Sequence, residues 1–222
     1  MLGSAVHSLS CLVSCAFPRL LNAVQSCTVN FDVPSLRYYV KSYNLSIRTA
    51  IVQQYIEARD KYNPKLLGKT IKFLLVGESP PKAGGYFYFE EATGLGNLFR
   101  EIMKALKIPY GKLTVGSNKT PQLKEFQLQG FFLIDVSYTP VNKLSIAEKN
   151  RVLKGQIPRL VNDIRNLQPE RIIILKTSLF APVRLALEED GFGERVLNKK
   201  PIPFPSNGWQ ATYRQLLQEC IN

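Results

Sequence analysis

Residues 71–81, "IKFLLVGESPP", join an apolar run to a turn that carries an acid. A short, nearly continuous apolar run is typical of a strand buried on both faces. Pro80 and Pro81 stiffen the turn that follows the run and help to fix the carboxylate of Glu78. Four consecutive aromatic residues, "YFYF" (86–89), come soon afterwards. The sequence thus predicts a buried strand whose end presents one carboxylate and a group of rings.

Apolar runs and amphipathic segments alternate from residue 71 towards the C-terminus. After "IKFLLV" come "GNLFREIMKALKI" (96–108), "GFFLIDV" (130–136), "IPRLVNDIRNL" (157–167), "RIIIL" (171–175) and "LFAPVRLALEEDG" (179–191). This alternation is typical of an α/β fold in which helices cover both faces of a parallel sheet. Ligands of such sheets bind beyond the carboxyl ends of the strands. The loops after Val76 and Val136, and the segment "KKPIPFPSNGW" (199–209), therefore form the candidate site.

The whole chain is predicted to consist of one domain with an added N-terminal segment. Residues 1–33 are expected to be a poorly ordered or targeting-like extension, because they are Ser-rich and lack a basic first region. Residues 34–222 are expected to form the domain, and residues 34–69 its helical N-terminal part, since apolar positions recur at nearly helical spacing over 36–60.

Two further helix boundaries are indicated in the middle of the domain. Ser145 and Glu148 have the spacing of a capping box, in which the side chain of each residue accepts a hydrogen bond from the backbone N–H of the other. Pro158 follows Gly155 closely and is expected to open a new helix, because proline suits the first helical turn.

The chain is strongly basic. Lysine and arginine number 29 against 17 acids, a formal charge of +12, and the basic residues recur through most of the chain. Such a surplus favours a polyanionic partner, because each phosphate that is neutralised releases counterions. The alternative is a protein whose basic residues only form solvated faces.

Several classes of protein and site are disfavoured by the sequence. No run approaches the ~20 apolar residues of a membrane-spanning helix, so no membrane association is expected. The four cysteines have no paired spacing, which argues against a zinc site or a disulfide framework and favours a reducing, intracellular compartment. The one histidine, His7, lies in the N-terminal extension, so imidazole catalysis is not expected. We expect no metal and no cofactor.

Four segments resemble, in order, the motifs of the uracil-DNA glycosylase superfamily. "GESPP" (77–81) is similar to its motif A, and "FLIDVSYTPVN" (132–142) to the strand and loop that hold the base-reading residue. "LQPERIIIL" (167–175) resembles its central strand, and "IPFPSNG" (202–208) its motif B, usually His-Pro-Ser. The resemblance covers about residues 70–222. It implies a three-layer sandwich with a central, mainly parallel sheet of four strands, a DNA partner and a monomer.

The resemblance implies a catalytic role for Glu78. Cleavage of an N-glycosidic bond passes through a cation-like sugar, and a carboxylate can orient the attacking water while its charge stabilises that cation. The alternative is structural: Glu78 pairs with a neighbouring lysine or caps the following helix.

An enzyme that works on a base takes it out of the stack and holds it against an aromatic face. If "YFYF" is extended, Phe87 and Phe89 share one side and Tyr86 and Tyr88 the other. By resemblance, Phe87 or Phe89 would be the stacking ring. The alternative is an aromatic strand packed into the core.

The residue that reads the base departs from the family pattern. The family usually has an asparagine where this chain has Asp135. An ionised carboxylate only accepts hydrogen bonds, so it would suit a base with an exocyclic amine and repel uracil unless it is protonated. The alternative is that Asp135 caps a turn and Asn142 reads the base.

Phe204 is a second departure, because it occupies the position of the motif B histidine. Phenylalanine cannot donate a hydrogen bond to a departing base, and the loss of one such donor costs about two to three orders of magnitude in rate. The backbone amides near Ser206 and Asn207 could replace it in part.

The same segment is predicted to contact DNA. Lys199, Lys200 and Ser206 can meet phosphate oxygens, and Trp209 stands where the family often inserts an apolar wedge into the duplex. The alternative for Trp209 is that it packs on the apolar face of the last helix, which Ser206 or Asn207 would cap.

The sequence therefore favours a DNA glycosylase-like hydrolase that acts on a flipped, non-standard base. The iron–sulfur ligands of one branch of the family are absent, since Thr139 stands where a cysteine would be. A catalytically weak or inactive member that binds a nucleic acid or nucleotide is the alternative, favoured by Asp135 and Phe204. An unrelated α/β domain that binds a small metabolite is a third hypothesis.

Overall fold

The structure, a computed structural model, describes residues 49–82, 85–92 and 96–222. These residues all fall within one compact unit, Arg48–Asn222. The predicted extension over 1–33 and the first part of the helical pattern over 36–60 lie outside the described residues.

The core of the described part of the unit is a parallel sheet of three strands. The strands are β1 (Phe73–Gly77), β2 (Phe131–Asp135) and β3 (Arg171–Ile174), in the order β2-β1-β3. Every residue of β1 and β2 is buried, which is why both read as continuous apolar runs. The α/β class and the parallel sheet predicted from the alternating pattern are confirmed. The register places Gly77 opposite Asp135, so the ends of the two strands meet.

The expected fourth strand is not formed within residues 49–82, 85–92 and 96–222, and this part of the prediction is wrong. Beyond β3 the chain makes only two isolated parallel bridges, Ile172 with Val196 and Leu175 with Ile202. Pro201 and Pro203 flank the second bridge and have no N–H to extend a ladder. Between the bridges, the side chain of Asn198 forms the hydrogen bonds that a neighbouring strand would form. Its Oδ1 accepts from the backbone N–H of Ile174 (3.0 Å), and its Nδ2 donates to the carbonyl of Ile174 (3.2 Å).

The opposite edge of the sheet is closed in a similar way. The hydroxyl of Tyr88 accepts from the N–H of Leu133 (2.7 Å) and donates to the carbonyl of the same residue (3.1 Å). An open sheet edge presents unpaired backbone groups that must be covered. One buried polar side chain therefore covers the middle of β2 at one edge of the sheet, and another covers the end of β3 at the other edge.

Six α-helices accompany the sheet in the described part of the chain. They are residues 49–60 (α1), Asn97–Ala105 (α2), Thr120–Leu128 (α3), Ile146–Leu167 (α4), Thr177–Glu189 (α5) and Gln210–Ile221 (α6). Short 3₁₀ turns occupy Pro64–Leu67 and Gly193–Arg195. Helix α2 contacts α6, and α4 contacts α5. Among the described residues, none of the helices combines the length and apolarity that a membrane crossing needs.

Helix α4 begins as predicted and continues further than predicted. Ser145 and Glu148 form the complete capping box. Pro158, expected to open a new helix, lies inside this single helix of 22 residues. The buried positions Leu153 and Leu160 fall on one continuous apolar stripe across the proline. Packing of that stripe outweighs the one hydrogen bond that proline removes.

Helix α6 begins at Gln210 with Trp209 as its N-cap, and no side chain caps it. The predicted cap by Ser206 or Asn207 is therefore not observed. Tyr213 and Leu217 are fully buried as expected for the apolar face, but Trp209 is 54% exposed. Trp209 does not share the packing of that face.

Candidate functional site

A cavity of about 360 Å³ opens at the carboxyl ends of the three strands. The segments after β1, β2 and β3 and the segment before α6 all contribute to its wall. Its polar and charged lining includes Glu78, Asp135, Asn142, Lys149 and Lys176, and Phe204 lies beside them. The three segments singled out in the sequence thus contribute to one cavity.

The turn after β1 is held by backbone pairing that continues past the strands. The N–H of Val136 donates to the carbonyl of Gly77 (3.0 Å), and the N–H of Ser137 donates to the carbonyl of Glu78 (3.0 Å). The hydroxyl of Ser79 accepts from the N–H of Val141 (3.3 Å). These bonds fix the backbone on both sides of the Glu78 side chain.

The carboxylate of Glu78 lies between two lysines. Its Oε2 accepts a hydrogen bond from Nζ of Lys176 (2.5 Å), and its Oε1 lies 2.9 Å from Nζ of Lys149. The Glu78 side chain is only 12% exposed. Oε1 is buried and has an ion-pair partner but no aligned hydrogen-bond donor among the described residues. A water or hydroxyl that donates to this oxygen would relieve the cost of a buried, unmatched acceptor.

The two lysines were not predicted as site residues. Lys176 follows the apolar run "RIIIL" (171–175) directly, and the end of a parallel strand is a signal that could have found it. Lys149 lies one turn after the Ser145 cap, and nothing in its sequence context distinguishes it from other helical lysines. Pairing of Glu78 with a lysine was one of the sequence-based alternatives, and the structure contains that pairing twice.

The environment shifts the pKa values of the two lysines in opposite directions. Burial lowers the pKa of Lys176, and the nearby charge of Lys149 adds to this effect, although the carboxylate of Glu78 opposes it. Burial also opposes the charge of Lys149, but its close ion pair with the carboxylate of Glu78 outweighs burial and raises its pKa. The two lysines therefore differ in environment although both contact the same carboxylate.

Lys176 also has an unusual backbone. Its φ of +84° lies in the left-handed region that L-residues with side chains rarely adopt. The residue directly precedes helix α5 as its N-cap, without a side-chain capping bond. Such strained conformations cluster at functional sites, where the surrounding structure holds them.

Asp135 is the last residue of β2 and is 6% exposed. Burial raises its pKa to about 7; the positive charges of Arg59 and Arg159 act in the opposite direction, and Glu78 adds a smaller increase. A Cβ at Gly77 would lie 2.5 Å from Oδ1 of Asp135, so the glycine leaves the space that this carboxyl group occupies. The side chain can be a donor or an acceptor near neutral pH.

Asn142 lies at the exposed rim of the same cavity. Its Oδ1 accepts from the backbone N–H of Lys82 (3.2 Å), which fastens the segment after Pro81 to the loop after β2. Both candidates for base reading, Asp135 and Asn142, therefore border the cavity, one buried and one exposed.

A cationic network supports the end of β2. Arg159 of α4 donates from Nη2 to the carbonyls of Asp135 (2.9 Å) and Val136 (2.5 Å). Its guanidinium lies 3.8 Å from the ring centroid of Tyr138, whose hydroxyl donates to Asp163 (2.7 Å) and accepts from Arg59 (2.7 Å). The end of β2 and the loop that follows it are thereby tied to two helices.

The residues "YFYF" (86–89) form a turn, so the condition under which two rings would lie on each side, an extended stretch, is not met. The N–H of Phe89 donates to the carbonyl of Tyr86 (3.3 Å). Tyr86 and Phe87 line the cavity, and Phe87 also packs against Phe99 at 5.3 Å between ring centroids. Phe89 lies outside the cavity and stacks on Tyr55 at 5.6 Å.

A buried lysine holds this aromatic turn. Nζ of Lys119 donates to the carbonyls of Tyr86 (2.9 Å) and Phe87 (3.0 Å) and lies 4.8 Å from the ring centroid of Phe99. Burial lowers the pKa of Lys119 to about 8. The lysine supports the wall of the cavity without lining it.

Phe204 is the only residue of the predicted DNA-contacting segment that lines the cavity among the described residues. Its ring is 40% exposed, and its centroid lies 5.8 Å from Nζ of Lys176. The other predicted residues of the segment lie outside the lining: Lys199, Lys200, Ser206, Asn207 and Trp209.

The loop before α6 carries these remaining residues on the surface. Asn207 and Gly208 have positive φ values of 50° and 88°, which turn the chain into Trp209. Lys199, Lys200, Asn207 and Trp209 are exposed, and Nζ of Lys200 lies 3.7 Å from a carboxylate oxygen of Glu219.

Comparison with models of known protein families and with curated proteins gave no match. Within the described ranges, no group of three or more histidine, cysteine, aspartate or glutamate side chains is arranged to hold a metal ion.

Replacing Asp135 with asparagine is expected to stabilise the protein more at pH 8 than at pH 5. A carboxyl group whose pKa is raised on folding favours the folded state at low pH, and that contribution is lost as the pH rises from about 4 to about 7. Asparagine is neutral throughout. Urea denaturation should give the variant an advantage at pH 8 on the order of 2 kcal/mol larger than at pH 5. Equal effects at both pH values would contradict a buried, titrating Asp135.

Proposed function

We propose that this protein is a hydrolase of the uracil-DNA glycosylase type that removes a flipped, non-standard base from DNA. One observation carries the proposal. An ionisable carboxylate, Glu78, stands beside a cavity with aromatic walls and a buried polar group, Asp135, at the carboxyl ends of a parallel sheet. This is the place where α/β sheets bind ligands.

Glu78 fits the role of the carboxylate that orients water. Its oxygens lie within 2.9 Å of two ammonium groups, and a carboxylate charge at this position would stabilise a cation-like sugar. Its Oε1 is left without an aligned donor among the described residues and can accept a hydrogen bond from the attacking water.

The cavity fits a single base. Its volume of about 360 Å³ lies at the lower end of the range for small-ligand pockets. Tyr86 and Phe87 offer aromatic surface, and Asp135 offers a polar contact from the end of β2. Because its pKa is raised to about 7, Asp135 can donate to a carbonyl or accept from an amine.

DNA is the partner that the charge and the surface favour. The formal charge of +12 suits a polyanion. Phe204 and Trp209 are exposed apolar rings in the segment that borders the cavity, and Lys199 is exposed in the same segment. Exposed rings of this kind can press on unstacked bases while lysines meet phosphates.

A second candidate function is binding of a base or nucleotide without hydrolysis. Both oxygens of Glu78 lie at ion-pair distance from a lysine, so a water must compete with ammonium groups for the carboxylate. Phe204 has no hydrogen-bond donor to offer a departing base. The two candidates share the cavity and differ only in whether the N-glycosidic bond is cut.

The test is an assay for abasic sites. Purified protein is incubated with single- and double-stranded oligonucleotides that carry uracil, hypoxanthine, xanthine or amine-bearing modified bases, followed by strand cleavage in alkali. We expect an abasic site from at least one of these bases. Salt-sensitive DNA binding without cleavage would reject the hydrolase and support the second candidate. The absence of both cleavage and DNA binding would reject both candidates.

A further inference from the structure

The departing base carries a developing negative charge that the carboxylate of Glu78 cannot stabilise. When the bond between C1′ and the base nitrogen breaks, its electron pair stays on the base, which becomes an anion. An anion needs a cation or a hydrogen-bond donor beside it in a site with little water. Two ammonium groups line the cavity, those of Lys149 and Lys176.

We propose that Lys176 is the acid that stabilises and protonates the departing base. This inference rests on the hydrolase function proposed above. Nζ of Lys176 is 2.5 Å from Oε2 of Glu78 and 5.8 Å from the ring centroid of Phe204. The ammonium group therefore contacts the carboxylate that handles the water and lies near the ring of Phe204 in the cavity wall.

The proton balance closes within this pair of residues. The water oxygen bonds to C1′, the C1′–N bond breaks, and the bond's electrons go to the base. Glu78 takes one proton from the water, and Lys176 gives one proton to the base nitrogen or oxygen. Glu78 then returns its proton to Lys176 through their hydrogen bond, so the products are a sugar hydroxyl and a neutral base. Nothing is oxidised or reduced.

Lys149 is suited to a different task. It lies on α4 and keeps its proton more firmly, because the attraction of Glu78 raises its pKa. Nζ of Lys176 lies 5.8 Å from the ring centroid of Phe204 in the cavity wall, and burial lowers the pKa of this lysine. The strained backbone of Lys176, with φ at +84°, is a further sign that its position is enforced. Lys149 holds the carboxylate, and Lys176 gives the proton.

The experiment compares single-turnover rates within two pairs of bases, and the members of each pair differ in leaving-group quality. The pairs are uracil with 5-fluorouracil, and hypoxanthine with xanthine, in otherwise identical oligonucleotides. The proteins are the wild type, Lys176→Ala, Lys176→Arg and a matched control, Lys124→Ala, at an exposed position of α3. Alanine has a Cβ, as lysine does, so the substitution does not relieve the strain of the positive φ at position 176.

Lys176→Ala is expected to slow cleavage by about 10²–10³-fold. The loss should be greater for uracil than for 5-fluorouracil, and greater for hypoxanthine than for xanthine, because the better leaving group needs less help. Added methylammonium should restore part of the rate. Lys176→Arg keeps the charge but cannot release a proton readily, so it should fall between the wild type and Lys176→Ala.

Each other outcome rejects the inference. An unchanged rate in Lys176→Ala, or an equal loss on both bases of a pair without amine rescue, leaves Lys176 a structural partner of Glu78. A similar loss of rate in Lys124→Ala would mean that the effect comes from the lower net positive charge of the protein and not from the position of Lys176. If the wild type cleaves neither pair, the proposed function fails for these bases and the acid role of Lys176 falls with it.

Discussion

Glu78→Gln is expected to lower the rate of base release by about 10²–10⁴-fold while the protein stays folded. Glutamine keeps the shape of the side chain but removes the charge that stabilises a cation-like sugar and the oxygen that takes a proton from water. It also leaves the ammonium groups of Lys149 and Lys176 facing each other without the carboxylate that now lies within 2.9 Å of both. The measurement is the single-turnover rate on the best substrate of the abasic-site assay.

The control for this prediction is Glu194→Gln, which makes the same chemical change at an exposed position. Circular dichroism should show the same fold for both variants. DNA affinity should be nearly unchanged in Glu78→Gln, because the residue acts on the sugar and water and not on phosphates. A variant that retains full activity would rule out Glu78 as the carboxylate that orients the water.

Asn198→Ala is expected to cost about 2–5 kcal/mol of stability, because it leaves two buried backbone groups of β3 without partners. The Asn198 side chain now pairs with both the N–H and the carbonyl of Ile174, and it is 3% exposed. Water cannot easily replace these bonds at a buried sheet edge. Urea denaturation measures the loss of free energy of unfolding.

Asn150→Ala is the matched control, since Asn150 is exposed on helix α4. Alanine is the better helix former there, so this variant should be neutral or slightly more stable. A loss below about 1 kcal/mol in Asn198→Ala would contradict the view that this side chain stands in for the backbone of a fourth strand.

Local pattern was enough to predict the three strands and the start of helix α4. Strands buried on both faces require apolar side chains at every position, and such runs are visible without any knowledge of their neighbours. The capping box of Ser145 and Glu148 is likewise local, since both bonds join residues three apart. The candidate site was predicted as far as the convergence of its segments, because strand ends of a parallel sheet meet at one edge.

Other features depended on contacts between distant residues and were predicted wrongly or missed. The aromatic stretch 86–89 forms a turn because Lys119, more than 30 positions away, binds its carbonyls. Helix α4 continues through Pro158 because its buried stripe continues to pack. The partners of Glu78 were missed because Lys149 and Lys176 lie 71 and 98 positions further along the chain.

The amino-acid sequence was sufficient for the α/β class, the order of the strands along the chain, and the placement of an acid at the end of β1. Those features follow from hydrophobic periodicity and turn chemistry, which act over a few residues. Tertiary packing was needed to replace a fourth strand by the side chain of Asn198, and to enclose Glu78 between two lysines. Both depend on where burial leaves a backbone group or a charge without a partner, and that becomes definite only when the whole chain is packed.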